Sequence, residues 1–299
     1  MRFFTSDRFV IPLPDGHSFP GRKYILLREC LVRDGILKAD QILPSPLAGD
    51  ADIVRAHDAA YVATVREGRL DTQAQRRIGL PWSANLVDRV TATMGGAVAA
   101  AEAALDSGLS GQLAGGTHHA HRDFGAGYCV FNDFAIAALK VLAEGWGARV
   151  AIIDLDVHQG DGNAAILAGH PDVFVFSMQG EKNFPHQRVA SDLDVDLPDG
   201  TEDEIYLRTL AEHLPAVFDF RPDLVLYQAG VDPLREDRLG RLALTLDGLA
   251  RRDRLVLTEC RSRGIPVSMA IGGGYADPIE VSVQAYVNTY AVAKEVYRF

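Results

Sequence analysis

The stretch Ile153 to Gly162, IDLDVHQGDG, sets three aspartates and a histidine directly behind the apolar run Arg149-Val150-Ala151-Ile152-Ile153. That run is β-branched and free of breakers, so it reads as a buried strand. Successive strand residues face opposite ways, so Asp154, Asp156 and His158 project together while the chain stays extended. Carboxylates at the end of a buried strand are costly unless compensated, and a divalent cation compensates them. Two carboxylates and one imidazole leave room for water on the ion, the pattern of a catalytic rather than a closed structural metal site. A chain built around this stretch is expected to be an α/β protein with its chemistry at the strand ends.

The rest of the chain repeats the alternation. Asn85 to Ser107 reads as a long Ala-rich helix, interrupted or closely packed at Gly95-Gly96. Gln112 to Gly116 reads as a short strand entering a glycine turn, and Asn132 to Glu144 as a helix. A short helix over Gly162 to Ala168 leads to the strand Val173 to Ser177. Thr201 with Glu204 three residues on predicts a capping box. The strand Leu224 to Tyr227, a helix over Asp247 to Arg263, the strand Pro266 to Ile271 and a helix over Pro278 to Tyr297 complete the pattern. Strands separated by helices predict an open, mostly parallel sheet with helices on both faces. No linker, low-complexity tract or internal repeat divides residues 1–299, which predicts a single catalytic domain.

Polar residues fall just past the strands. Asp154, Asp156 and His158 follow one, Asp232 in AGVD another, Tyr275 in IGGGY the last, and His118-His119 the Gln112 strand. In open α/β sheets ligands bind at the carboxyl ends of the strands, so these segments converge on one crevice. Asp156, His158 and Asp232 are the predicted metal ligands. Zinc accepts such a set, which does not exclude iron, cobalt or manganese. An imidazole of the His118-His119 pair can take a proton from an activated water and pass it to a leaving amine. Such imidazoles need orienting partners, and Asp154 and Asp161 are free for that. His121, followed by Arg122-Asp123, reads as loop surface or rim. Tyr275 can donate to a developing oxyanion. Metal, paired histidines and an oxyanion donor describe hydrolysis of an amide or similar acyl bond.

The segments GGTHHAHRDFGAGYC, IDLDVHQGDG, AGVD and IGGGY, in that order over Gly115 to Tyr275, resemble the motifs of zinc-dependent histone deacetylase family proteins. The resemblance extends upstream through His57 to Tyr61. Gln159-Gly160, SMQGEKNFP and GTEDEIYL are most similar to class IV members and their bacterial relatives. The resemblance implies an arginase/deacetylase-type fold, with zinc on Asp156, His158 and Asp232. It implies His119 with Asp161 as the main general base and acid, His118 with Asp154 as charge stabiliser, and Tyr275 polarising the substrate carbonyl. It implies a K+ site at Asp154, Ser177 and the carbonyls of Asp156, His158 and Met178. Gly127 and Tyr128 with Phe184 match the substrate-gripping walls. Leu239 stands where polyamine-directed relatives place an acidic residue, which disfavours acetylpolyamines.

The expected substrate is acetyl-lysine or a related N-acyl amine, with long-chain fatty-acyl lysine and small-molecule amides as alternatives. A binuclear manganese ureohydrolase would want further acids where Gln159-Gly160 stand. A non-catalytic acyl-ligand binding module is the other rival. The formal net charge of −10 argues against a nucleic-acid surface and is compatible with cationic substrates. Cys30, Cys129 and Cys260 are too few and scattered for a disulfide framework and point to a reducing compartment. No run of about 18 apolar residues occurs, so a soluble cytoplasmic protein is expected, without a membrane partner. The sequence carries no signal for the oligomeric state.

Overall fold

The computed structural model describes all residues, 1–299. The strands are β1 (Phe3–Thr5), β2 (Ile42–Pro44), β3 (Leu109–Gln112), β4 (Val150–Asp154), β5 (Val173–Gly180), β6 (Leu193–Leu197), β7 (Leu224–Gln228) and β8 (Val267–Ala270). The helices are α1 (Lys23–Arg33), α2 (Asp50–Ile53), α3 (Ala59–Arg66), α4 (Thr72–Ile78), α5 (Ala84–Ser107), α6 (Asp133–Ala143), α7 (Asp161–Leu167), α8 (Asp203–Asp219), α9 (Leu246–Ser262) and α10 (Ile279–Tyr297). All eight strands join one sheet in the order β2-β1-β3-β8-β7-β4-β5-β6, and every pairing is parallel.

The apolar runs at the centre bury both faces of the sheet. Val150 and Ile152 of β4 join one hydrophobic cluster with Leu224 and Leu226 of β7. The alternate residues Ala151, Ile153, Val225 and Tyr227 join the cluster on the other side. This two-sided burial is why these strands read as unbroken apolar runs rather than as alternation. Gly95 and Gly96 do not interrupt α5. A Cβ at Gly95 would lie 2.1 Å from the Pro46 carbonyl oxygen, so the helix packs there directly on backbone.

Three expectations need correction. The strand expected at Gln112 to Gly116 is Leu109–Gln112, and pairing ends where Gly115 and Gly116 turn to φ 83° and 73°. Those left-handed conformations suit glycine and carry the chain out of the ladder. The capping box at Thr201 does not form. Helix α8 starts at Asp203 after Glu202, while the Thr201 hydroxyl donates to the Pro198 carbonyl at 2.7 Å. The Asp203 carboxylate instead accepts from the backbone N–H and hydroxyl of Thr245, tying α8 to the start of α9. His121 is half-buried rather than loop surface, as the site geometry below explains. The short elements β1, β2 and α1 to α4, and the edge strand β6, are additions to the sequence reading.

The order of the sheet places the chemistry. Strands β3, β8, β7 and β4 are consecutive neighbours, and the loops leaving their carboxyl ends carry His118-His119, Tyr275, Asp232 and Asp156-His158 respectively. Four polar strand ends therefore share one edge at the centre of the sheet.

Candidate metal centre and active site

Asp156, His158 and Asp232 are buried, and one ligand atom from each lies within 4.8 Å of the others. The backbone decides which atoms face inward. Asp156 Oδ2 accepts the Gly273 N–H at 2.7 Å, and Asp232 Oδ1 accepts the Val157 N–H at 2.9 Å. The remaining oxygens, Asp156 Oδ1 and Asp232 Oδ2, each lie 3.0 Å from His158 Nδ1. Burial and the Asp156 charge push the Asp232 carboxyl up to about 7. Two buried carboxylates converge here, one kept charged by His118 and His158 and the other raised by burial and by its neighbour's charge, an electrostatic setting that a divalent cation relieves. The donor set fits such an ion, one nitrogen and two oxygens with further positions open.

Close approach to these carboxylates requires glycine. A Cβ on Gly273 would meet Asp232 Oδ2 at 2.0 Å and one on Gly230 would meet Asp156 Oδ2 at 2.5 Å. Gly272, between β8 and Gly273, has φ 62°. This is the physical content of the glycine run ahead of Tyr275.

The two histidines each hold an aspartate. His118 Nδ1 lies 2.8 Å from Asp154 Oδ2, and His119 Nδ1 lies 2.6 Å from Asp161 Oδ1. Burial opposes protonation of His118, but the Asp154 and Asp156 charges outweigh it and raise its pKa to about 9. For His119 burial wins, assisted by the neighbouring His118 charge, and the pKa falls to about 4. The two imidazoles are thus set apart, His118 biased by its carboxylates toward the charged form and His119 toward the neutral base. Burial raises the Asp161 carboxyl, yet hydrogen bonds from His119 and His121 take it well below the usual range. His121 Nε2 lies 3.0 Å from Asp161 Oδ2 and its ring stacks on Phe124, so it braces Asp161 from the other side.

The residues expected to wall a substrate channel lie at the same place. A cavity of about 70 Å³ is lined by His118, His119, Asp156, His158, Tyr275 and Tyr128, with Leu80 and Val90 among its apolar residues. An outer groove of about 550 Å³ shares His119, His158, Gly127, Tyr128 and Tyr275, and adds Phe184 and Leu239 at its exposed side. Phe184 meets His119 edge-on at 4.8 Å. Tyr128, at φ 66°, stands 5.9 Å from the Tyr275 ring and hydrogen-bonds Ser18 at 2.7 Å. Burial raises the Tyr275 phenol well above its ordinary value, keeping it a proton donor. Asp154 and Ser177 are partners across β4 and β5, with Met178 next along the strand, and all three are buried.

Several supporting residues escaped the sequence reading. The Asp133 carboxylate accepts from Gly116 N, Thr117 N and the Thr117 hydroxyl, each at 2.8 Å, and fixes the turn ahead of His118. Asp237 accepts from the N–H groups of Leu239, Gly240 and Tyr275, joining the two loops that carry Leu239 and Tyr275. Arg252, fully buried on α9, donates to the carbonyls of Leu155 at 3.2 Å and Gly230 at 2.5 Å, beside Asp156 and near Asp232. A signal for it was present. Leu249, Arg252, Val256 and Cys260 lie at helical spacing on one buried stripe.

A histone deacetylase domain matches residues 17–290. The chain belongs to the histone deacetylase family. Among its relatives, an uncharacterized protein of Picosynechococcus sp. is 46% identical over 290 residues, with 97% of each chain covered. Histone deacetylase 2 of Arabidopsis thaliana is 30% identical, covering 91% of this chain and 76% of the relative. The acetoin utilization protein AcuC of Staphylococcus aureus is also 30% identical, with 87% and 73% covered. Among solved structures, an HDAC homolog complexed with SAHA superposes with a TM-score of 0.84 at 22% identity, covering 99% of this chain and 84% of the other. The acetylpolyamine aminohydrolase of Burkholderia pseudomallei superposes at 0.77 and 20% identity, with 99% of both covered. These two likenesses establish the arginase/deacetylase-type fold. No helix is long and apolar enough to cross a membrane.

Proposed function

We propose that this family member is a metal-dependent deacylase that cleaves the amide of acetyl-lysine or a related N-acyl amine. The observation that carries the reading is one cavity lined by Asp156 and His158 of the Asp156, His158 and Asp232 cluster, by Tyr275, and by His119, whose Nδ1 lies 2.6 Å from Asp161. Asp156 Oδ1, His158 Nδ1 and Asp232 Oδ2 would hold the cation, zinc being the chemistry the set suits, with iron as an alternative. A divalent ion bound there supplies Lewis acidity to the acyl carbonyl and lowers the pKa of a water.

The chain's own groups do the rest. His119, neutral and aligned by Asp161, accepts the proton of the attacking water and returns it to the leaving amine. His118, biased toward its charged form by Asp154, offsets negative charge as the tetrahedral centre forms. Tyr275 donates its phenolic proton in a hydrogen bond to the oxyanion. Tyr128 and Phe184 flank the alkyl chain, and Asp154, Ser177 and Met178, with the carbonyls of Asp156 and His158, would hold a K+ ion. The inner cavity of about 70 Å³ favours a short acyl group over a myristoyl chain.

The test is turnover of matched fluorogenic acetyl-lysine and myristoyl-lysine peptides, with chelation and zinc restoration, beside Tyr275→Phe. Losing one oxyanion donor should lower kcat by about 10²–10³. Chelator-sensitive hydrolysis that falls in the Phe variant supports the reading. Failure to cleave either peptide by protein shown to contain metal overturns the acyl-lysine reading and leaves small-molecule amides or a non-catalytic acyl-ligand binding module.

A further inference from the structure

The chain carries a net charge of −10, yet the groove over the active site is lined by Arg76, Arg77, Lys182 and Arg241 and by no aspartate or glutamate. His186 stands beside them on the groove wall. The cations come from both sides. Arg76 and Arg77 end helix α4, whereas Lys182 follows β5 and Arg241 follows the Leu239 loop.

All four are exposed. Asp199 lies 3.2 Å from Arg241 and 3.7 Å from Lys182, so one carboxylate is shared between two cations there. Arg76 and Arg77 have no carboxylate within 4 Å. Arg77 is nevertheless held in place, with Nε donating to the Gly125 carbonyl at 3.1 Å and its guanidinium 4.2 Å over the Phe124 ring. Basic side chains in the last turn complement a helix dipole, which accounts for one flank of the groove. It does not account for the facing Lys182 and Arg241.

Resting on the deacylase reading, we propose that the substrate is an acyl-lysine set in an acidic peptide, its flanking carboxylates bound between Arg76–Arg77 and Lys182–Arg241. The groove reaches His119 and His158, so a residue whose acylated side chain enters there leaves its neighbours against this rim. Arginine forks pair with carboxylates in two parallel hydrogen bonds, and same-sign walls raise the local concentration of the opposite charge. The arrangement repels polyamines and lysine-rich tails, the opposite of what the chain's net charge allows.

Three peptides decide it, each with one central acetyl-lysine, flanked by glutamates, by alanines or by lysines, alongside an acetylated polyamine. Turnover and binding are measured on zinc-loaded protein, binding by fluorescence anisotropy. At low salt the acidic peptide should exceed the neutral one in kcat/KM by at least about fivefold, the yield of two or three exposed ion pairs. The ratio should approach one in 0.5 M salt and fall by at least half in the Arg76→Gln/Arg77→Gln variant, which keeps Lys182 and Arg241, with the lysine peptide and polyamine poorest. A lysine peptide or polyamine that matches the acidic one, or a preference unmoved by salt and by the variant, overturns the proposal. Should none of the peptides turn over, tight acidic-peptide binding lost in the variant would remove the deacylase reading and leave the groove's preference standing. Absence of both turnover and binding preference overturns the two together.

Discussion

Arg252 offers the sharpest check on how the ligand loops are held. Its guanidinium is fully buried, bonds the Asp253 carboxylate at 2.9 Å, and reaches the carbonyls of Leu155 and Gly230. Arg252→Met keeps most of the apolar stem and removes the charge. Asp253 is then a buried carboxylate with only the hydroxyls of Tyr227 and Thr289, at 2.5 and 2.6 Å, and two buried carbonyls lose their donor. Breaking one side of a buried ion pair costs about 3–5 kcal/mol. The two hydroxyls that remain place the expectation at the lower end, about 3–4 kcal/mol, out of an ordinary total of about 5–15. Urea unfolding should show that loss as a lower midpoint with an unchanged slope. Arg252→Met/Asp253→Asn should be less damaged than the sum of the single variants, with a coupling of about 1–3 kcal/mol. Zinc affinity should fall about 10- to 100-fold, because the two carbonyls belong to the loops that carry Asp156 and Asp232. A single variant within about 1 kcal/mol of wild type, or strict additivity, would refute the reasoning about the pair. Unaltered zinc affinity would refute the positioning role.

Two further outcomes are expected. His57 accepts the Asn132 N–H at Nε2 and donates from Nδ1 to the His121 carbonyl, so only the neutral ring fits. Burial holds its pKa near 4, below the unfolded value of about 6.5. The unfolded chain therefore binds the proton first, and stability present above pH 6.5 is lost as pH falls toward 4, by on the order of 3 kcal/mol. His57→Gln should flatten the urea midpoint between pH 7 and 5, leaving the slope that His119, shifted the same way, contributes. An identical pH profile in the variant would contradict this account. Gly273→Ala forces a methyl to within 2.0 Å of Asp232 Oδ2. It should weaken zinc binding by at least about tenfold in a competition titration, and wild-type affinity would show that the loop yields freely.

That Asp156, His158, Asp232 and Tyr275 would meet was legible in the sequence because each follows an apolar run that reads as a buried strand. Glycines beside Tyr275 and before His118 marked backbone that must come close to something. Composition and strand alternation likewise determined a parallel sheet covered on both faces, since continuous β-branched runs need burial on two sides. Local pattern served poorly where distant contacts decide. Thr201 with Glu204 reads as a capping box, but the Thr201 hydroxyl bonds the Pro198 carbonyl and Asp203 in the first turn bonds the distant Thr245. His121 looked like rim until Asp161 was placed beside it.

Strand order was beyond the sequence altogether. That β3, β8, β7 and β4 stand side by side follows from how helices pack across the sheet, and this adjacency turns four separate motifs into one site. The basic groove is of the same kind. Arg76, Arg77, Lys182 and Arg241 are scattered over more than half the chain, and a net charge of −10 conceals them. Charge acts through space, at distances that only the folded chain sets.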